Sequence, residues 1–508
     1  MAYIAGINRY QASLLPTMVD DYVEADSSVR VIDAFVENLD VSALGFQRST
    51  PAPTGRPGYD PCDLLKLYLY AYLNEIRSSR RIECVCRRNV EVMWLVGKLV
   101  PDHKTIADFR RVNGDGIIGT CRAFVLFCHE QGLFTARLVA TDGSKVRAAA
   151  SPLRVLDKAR IGEEQEKLDK QISDYLERLD GEDSREVTDA GSTVENALHV
   201  LKERRADLER LSERLDQDDR RLVVQGEPEA RPMGFGRGGK PPSYNVQIAV
   251  DADMGIVLHH AVTDEVNDQR MLHPMAKAAK ELLELEELTV VADTGYSNGN
   301  AAAACEDDGI IACVPVKRSV NNRGDGNQFD RSSFIYDAAR DQFTCPAGRI
   351  LHRKGPVNRS GYTYVSWDCS DCELKSRCTQ SERRWVSRHQ HEDALERMAE
   401  RVAASPDLMR LRRCAAEHPF GTIKRMMIGR FLTRDIKGTS TEMALSVMAF
   451  NLKRCINLKA YRCKPNAPVC LRFSLDAQAF LTRPVTRRLL RIARPGCRGG
   501  APCRRDCR

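Results

Sequence analysis

The 508-residue chain carries 77 lysines and arginines against 70 acids, a net charge of +7, and 43% of its residues are hydrophobic. That length exceeds one compact core, so two or three domains are expected, and the composition is ordinary for a globular protein. No apolar run is long enough to cross a bilayer, and the start, MAYIAGINRYQASLLP, lacks a basic-then-apolar leader pattern, so a soluble cytoplasmic protein with no membrane partner is expected.

The amino-terminal region reads as helices. Leu64, Leu65, Tyr68, Leu69, Tyr72 and Leu73 recur at helical spacing from Pro61 until Ser78-Ser79 breaks the run. A second helix fits Arg81 to Val92. PDHKTIADFRR opens on Pro101-Asp102 and carries Ile106, Phe109 and Val112 on one face; Gly114 and Gly116 separate it from Ile117–Gln131. These helices are basic, with Arg77, Arg80, Arg81, Arg87, Arg88, Lys104, Arg110 and Arg111 among them. Short basic helices joined by tight turns suit a helix-turn-helix reader of DNA, because phosphates respond to local positive patches. An ordinary helical domain with a charged surface fits the same residues.

After Gly132 the texture changes. ARLVATDGS, YNVQIAVDAD, GIVLHHAVTDE, LTVVADTGYS and IIACVPV are short β-rich runs, with helix-like residues 269–285 before the fourth and Asn300–Asp307 before the fifth. That alternation is an α/β pattern. Two segments interrupt it. Residues 160–222 are charged and helical, with Leu201, Leu208, Leu215 and Leu222 at heptad spacing and Leu211 at a companion position. They predict an antiparallel or intermolecular coiled-coil hairpin split near Gly181–Gly191, followed by a flexible linker, GFGRGGKPP. The second interruption, about 325–385, is rich in cysteine. Helices return from Asp407 to Leu458, and an Arg/Cys-rich tail without periodicity follows.

Two acids stand out by position. Asp142 follows ARLVAT and Asp293 follows LTVVA, each at the carboxyl end of a strand-like run with a glycine close behind. Corresponding strand ends are where α/β sheets gather their ligands, although a single such aspartate is more often a turn residue. Asp251, Asp253, Asp264 and Asp268 also follow strand-like runs. A third acid, Glu417, lies in MRLRRCAAEHPFGTIKRMMIGRF. On a continuous helix Arg410, Arg413 and Lys424 would share its face, one carboxylate among three phosphate-binding cations. Pro419 predicts a kink or a helix boundary near His418. Three carboxylates suit a pair of hard divalent ions, Mg²⁺ or Mn²⁺, which stabilise both the attacking and leaving oxygens of a phosphodiester displacement.

Most of the 18 cysteines, such as Cys84, Cys121, Cys128, Cys305, Cys313 and Cys455, sit singly among apolar residues and read as small buried hydrophobes. Cys345, Cys369, Cys372 and Cys378 differ. Cys369-x-x-Cys372 has knuckle spacing and TCPAG places Cys345 before a turn, so the four form a candidate structural Zn²⁺ site. His389 and His391 are alternative ligands.

ATDGS, VVADTGY and EHPFGTIKR, in that order, resemble the conserved blocks of DDE transposases encoded by bacterial insertion sequences, and PDHKTIADFRR resembles their amino-terminal helical domain. The resemblance spans roughly residues 55–460. It implies an α/β, RNase H-like mixed sheet with Asp142 on its first strand, Asp293 on its fourth and Glu417 on a later helix. The implied division is a helical DNA-binding domain (1–135), a catalytic domain (136–460) carrying the helical arm (160–222) and Cys-rich insertion (325–385), and a basic tail (461–508). The implied partners are double-stranded DNA, both the element's terminal inverted repeats and the target, and a second copy of the chain on that DNA, in a bacterial, nucleoid-associated setting. Related transposases often show Tyr, Arg, Glu and Lys at fixed spacing; Arg413, Glu417 and Lys424 fit it, while Arg410 stands at the tyrosine position. A nuclease of the same fold and a DNA-binding protein with a decayed core are the alternatives, and the presence of all three acids argues against decay.

Overall fold

The structure, a computed structural model, describes residues 18–462 apart from 52, 55–56, 183–189, 235–238, 317–327 and 358–360. The turn of the helical arm, the middle of the glycine-rich linker and the tail beyond residue 462 lie outside the described residues.

Six helices open the fold: α1 (Ser28–Glu37), α2 (Pro61–Leu73), α3 (Ser79–Cys86), α4 (Val90–Leu95), α5 (His103–Val112) and α6 (Gly114–Glu130). Their starts are written locally. Asp60 caps α2 with Pro61 behind it, and the Asp102 carboxylate accepts from the Lys104 and Thr105 amides. The helix expected over Arg81–Val92 is two, because the Asn89 side chain accepts from Val92 N and starts α4 afresh.

The central sheet contains β1 (Leu138–Arg147), β2 (Pro242–Asp251), β3 (Val257–Thr263), β4 (Leu288–Val291) and β5 (Ile310–Cys313), in the order β3-β2-β1-β4-β5. The first three strands form an antiparallel meander; β4 lies parallel to β1 and β5 parallel to β4. This is the expected RNase H-like mixed sheet. All ten residues of β2 are buried, as a strand covered on both faces requires. Between β1 and β2, α7 (Lys158–Glu182) and α8 (Ala190–Gln217) pack together, Ile161 and Leu168 clustering with Leu208, Leu211 and Leu215. The hairpin is therefore antiparallel and closed within the chain. Leu222 lies beyond the helix end, 41% exposed, and takes no part in the seam.

Helix α9 (Leu272–Leu283) precedes β4 and α10 (Gly299–Asp307) precedes β5. A separate antiparallel sheet follows, β6 (Ile335–Asp337), β7 (Gln342–Thr344), β8 (Ile350–Val357), β9 (Gly361–Val365) and β10 (Trp385–His389), around its own small core of Phe334, Phe343, Leu351, Tyr364 and Val386. Three helices finish the described chain: α11 (Glu392–Ala404), α12 (Asp407–Met426) and α13 (Asp435–Arg462).

Helix α13 packs against α2, α6 and β3, and buries Met443, Ala444, Leu445, Val447, Met448, Ala449 and Phe450 in succession. A helix apolar on all sides belongs in the interior. One continuous core consequently joins the opening helices to the sheet. A buried ion pair, Arg77 Nη1 to Glu442 Oε1 at 2.8 Å, crosses the same junction, and Glu442 also accepts from the Leu432 and Thr433 amides. Among the described residues no helix is long and apolar enough to cross a membrane.

Candidate active site

Asp293 lies just past the end of β4, as expected, but Asp142 lies in the middle of its parallel neighbour β1, not at its end, because the strand runs on through Gly143 to Arg147 in pairing with β2. The Gly143 amide donates to Asp142 Oδ1 at 2.9 Å, and the Gly295 amide to Asp293 Oδ1 at 2.8 Å, where Asp293 caps a single 3₁₀ turn. Arg412 joins them: its Nη1 lies 3.5 Å from Asp142 Oδ1 and 4.0 Å from Asp293 Oδ2. That nitrogen is buried and has no hydrogen-bond partner. Burial pushes the Asp142 carboxyl up to about 6, Arg412 and the Gly143 amide oppose the rise, and the charges of Asp293 and Asp268 add to it.

Arg412 arrives on α12, which packs Ala415 and Ala416 onto Ala140, Val291 and Cys313. The helix is continuous from Asp407 to Met426, so of the kink or boundary expected near His418 the boundary is absent. Pro419 faces inward with Ala415, Ala416, Phe420 and Ile423, and their burial holds the helix across the missing amide. Glu417 is exposed. Lys424, seven residues on and thus on the same stripe, is half-buried; burial lowers its ammonium pKa and the Asp142 charge opposes that. Arg410 and Arg413 point to solvent, Arg410 pairing with Asp407 at 3.6 Å. The cation inside the site is therefore Arg412, not Arg410 or Arg413. Residues 412, 416 and 420 share one helical stripe, so the apolar pattern held the signal. Among the described residues no three His, Cys, Asp or Glu side chains stand at metal-holding distance from one another.

The amino-terminal cations are mostly outward. Arg80, Arg81, Arg87, Arg88 and Lys104 are exposed on or beside α3 and α5, which pack together, and Arg111 is exposed beside Asp108 at 2.9 Å. Arg110 differs from the DNA-facing role expected of it. It donates to the Tyr72 hydroxyl at 3.2 Å and lies over the Tyr68 ring, partly withdrawn from solvent.

Cys345, Cys369, Cys372 and Cys378 line one small pocket with Arg349, Ser366 and Arg384. All four are free thiols. Cys345 forms the expected turn: Gly348 N donates to its carbonyl at 2.8 Å and Arg349 N to its Sγ at 3.3 Å. Burial pushes the Cys378 thiol up, Arg384 opposes, and the other three thiols add to the rise. His389 and His391 lie apart, bonded to each other through His391 N and His389 Nδ1 at 3.0 Å.

An RNase H-like sheet that sets two carboxylates on adjoining parallel strands belongs to a polynucleotidyl transferase. Two family models make this specific: the Transposase domain (DUF772) matches residues 17–112, and the Transposase DDE domain matches residues 209–452. The chain is a DDE transposase. Asp142 falls between the two matched segments, in the stretch that the helical arm interrupts. Among solved structures, a piggyBac transposase synaptic complex with hairpin DNA is similar at 10% identity and a TM-score of 0.30, over 92% of this chain and 80% of that one. The search of curated proteins gave no match.

Proposed function

We propose that this transposase cuts and joins DNA at the ends of a bacterial insertion sequence with Asp142, Asp293 and Glu417 as its metal-ligating acids. The carrying observation is the side-by-side placement of Asp142 and Asp293 with a buried guanidinium between them. DDE transposases use divalent metals, and the oxygen donors of the Asp142 and Asp293 pair support this use here. Hard ions take oxygen ligands, and the unpartnered Arg412 nitrogen marks where the carboxylates hold positive charge. Bound there, Mg²⁺ or Mn²⁺ would stabilise charge on the attacking and leaving oxygens of an in-line displacement. Glu417 is on the helix that supplies Arg412 and on the stripe of Lys424, whose ammonium feels the Asp142 charge, and that shared stripe supports its part in the site. Lys424 and Arg413 flank it as phosphate-binding cations.

In this reading α2 to α6 bind the terminal inverted repeats through Arg80, Arg81, Arg87, Arg88 and Lys104, two copies of the chain act together on paired ends and target DNA, and the enzyme works at the bacterial nucleoid. The domain limits are 1–135, 136–460 and 461–508. Cys345, Cys369, Cys372 and Cys378 would draw together on a structural zinc that orders the Cys-rich insertion; their lining of one pocket and the amide-to-sulfur bond at the turn support this. The test uses purified full-length chain, its element ends, target plasmid and Mg²⁺. Asp142→Asn, Asp293→Asn and Glu417→Gln should each abolish cleavage and strand transfer while DNA binding persists. Joined products surviving any one of the three would remove that residue from the site.

A further inference from the structure

Behind Asp142 and Asp293 lies a string of polar side chains that a pair of metal-ligating acids does not by itself require. In β1 and β2 side chains alternate between faces, and Gly143, Lys145, Asn245 and Gln247 fall on the face opposite Asp142. Asn245 and Gln247 are fully buried. Both donate side-chain amides to one oxygen of Asp268: Asn245 Nδ2 at 2.7 Å and Gln247 Nε2 at 2.6 Å. Lys145 Nζ stands 3.6 Å from that oxygen and has no hydrogen-bond partner. Gln247 in turn accepts from the hydroxyl of the fully buried Tyr296, which closes the 3₁₀ turn that Asp293 caps.

Two glycines record how closely this string presses on the site. A methyl group at Gly143 would collide with the Gln247 amide and sit 2.6 Å from Asp268 Oδ1. One at Gly295 would lie 2.9 Å from Asp293 Oδ1 and 3.9 Å from the other oxygen of Asp268. The same carboxylate thus abuts the backbone next to Asp142 on one side and the Asp293 turn on the other.

We propose that Asp268 is a positioning residue for strand cleavage and transfer. From the back of the sheet it braces the backbone at Gly143, and through Gln247 and Tyr296 it braces the turn bearing Asp293, while its charge offsets Lys145. The inference rests on the reading of Asp142 and Asp293 as metal-ligating acids. A buried polar string that served packing alone would affect stability and leave the spacing of the two acids without consequence.

The experiment uses the full chain, measuring kcat and KM for cleavage of element-end DNA, thermal melting, and Mn²⁺ binding by electron paramagnetic resonance without DNA. Asp268→Ala should lower kcat and weaken Mn²⁺ binding by roughly 10–100-fold, as loss of a partner behind a metal ligand does, with KM for DNA unchanged. Asp268→Asn keeps an acceptor for Asn245 and Gln247 and should retain more activity than the alanine variant. Tyr296→Phe should lower kcat in the same direction, and the Tyr296→Phe, Asp268→Ala pair should be no worse than Asp268→Ala alone, because both act through one chain of contacts. Wild-type kcat and Mn²⁺ affinity in Asp268→Ala would overturn the proposal while leaving the two acids in place. If the alanine variant melts early, unchanged kcat in both Asp268→Asn and Tyr296→Phe overturns it instead. Strand transfer by Asp142→Asn or Asp293→Asn would overturn the underlying reading, whatever Asp268 does.

Discussion

Replacing Asp142 with asparagine should inactivate the enzyme and stabilise it. The carboxyl is lifted from 3.8 to about 6, with burial the largest cause. One pKa unit is worth about 1.4 kcal/mol, so holding this group ionised at neutral pH opposes folding by on the order of 2–3 kcal/mol. The sign follows from proton binding. The folded state takes up a proton on Asp142 at higher pH than the unfolded chain does, so the stability of the native protein falls as pH rises from about 4 through about 6. The amide of the Asp142→Asn variant mimics the neutral acid and avoids that fall. Thermal melting of both proteins between pH 4 and pH 8 should show the variant melting several degrees higher at about pH 8, with the difference vanishing near pH 4. Added Mg²⁺ should raise the melting point of the native protein more than that of the variant, because the ion binds only the folded site. A variant no more stable than the native protein at pH 8 would refute a desolvated, electronegative setting for Asp142.

Other outcomes follow from other parts of the molecule. Arg77→Met leaves Glu442 charged at 0% exposure without its cation, and loss of one partner from a buried pair of this kind lowers stability by about 3–5 kcal/mol, measurable by urea unfolding. Protein purified without added zinc should contain about one equivalent of the metal, and Cys369→Ser with Cys372→Ser should remove it; a content near zero with the insertion still protected from protease would reject the site. Alanine at Arg80, Arg81, Arg87, Arg88 and Lys104 together should weaken binding to the element ends and flatten its dependence on salt, by about 0.9 in the log–log slope for each phosphate that is no longer neutralised. An unchanged slope would place the DNA elsewhere. Charge removal is the suitable perturbation because α1 to α6 share a core with α13 and β3, so deleting them would expose that core.

Much of this fold is legible in the chain because strand runs, caps and turn glycines act locally. VVADTGY announces a strand end, whereas ATDGS lies in mid-strand, because β1 runs on through Gly143 to Arg147; β1 and β4 are parallel neighbours, and Arg412 stands between Asp142 and Asp293. What the sequence concealed depends on contacts distant along the chain. Asp268 looked like one of several acids after strand-like runs, and only the register of β1 on β2 sets Gln247 opposite Gly143 and brings Asp268 against both. Arg110 sits in a basic run, yet Tyr68 and Tyr72 draw it inward.

The cation of the site was concealed differently. Motif spacing ranks Arg410 and Arg413 by their distance from Glu417, whereas packing ranks them by the face that Ala415, Ala416 and Phe420 bury, and that face carries Arg412 inward. On neighbouring strands, burial and the Asp293 charge raise the proton affinity of the Asp142 carboxyl, and a cation between the two acids counters this. Arg412 meets that requirement with a single charge at 3.5 and 4.0 Å, distances too long for strong hydrogen bonds. A doubly charged ion with oxygen-seeking coordination satisfies the same pair better. The pairing of two acids at this point therefore comes from the neighbouring strands β1 and β4, while α12 decides which positive group stands between them.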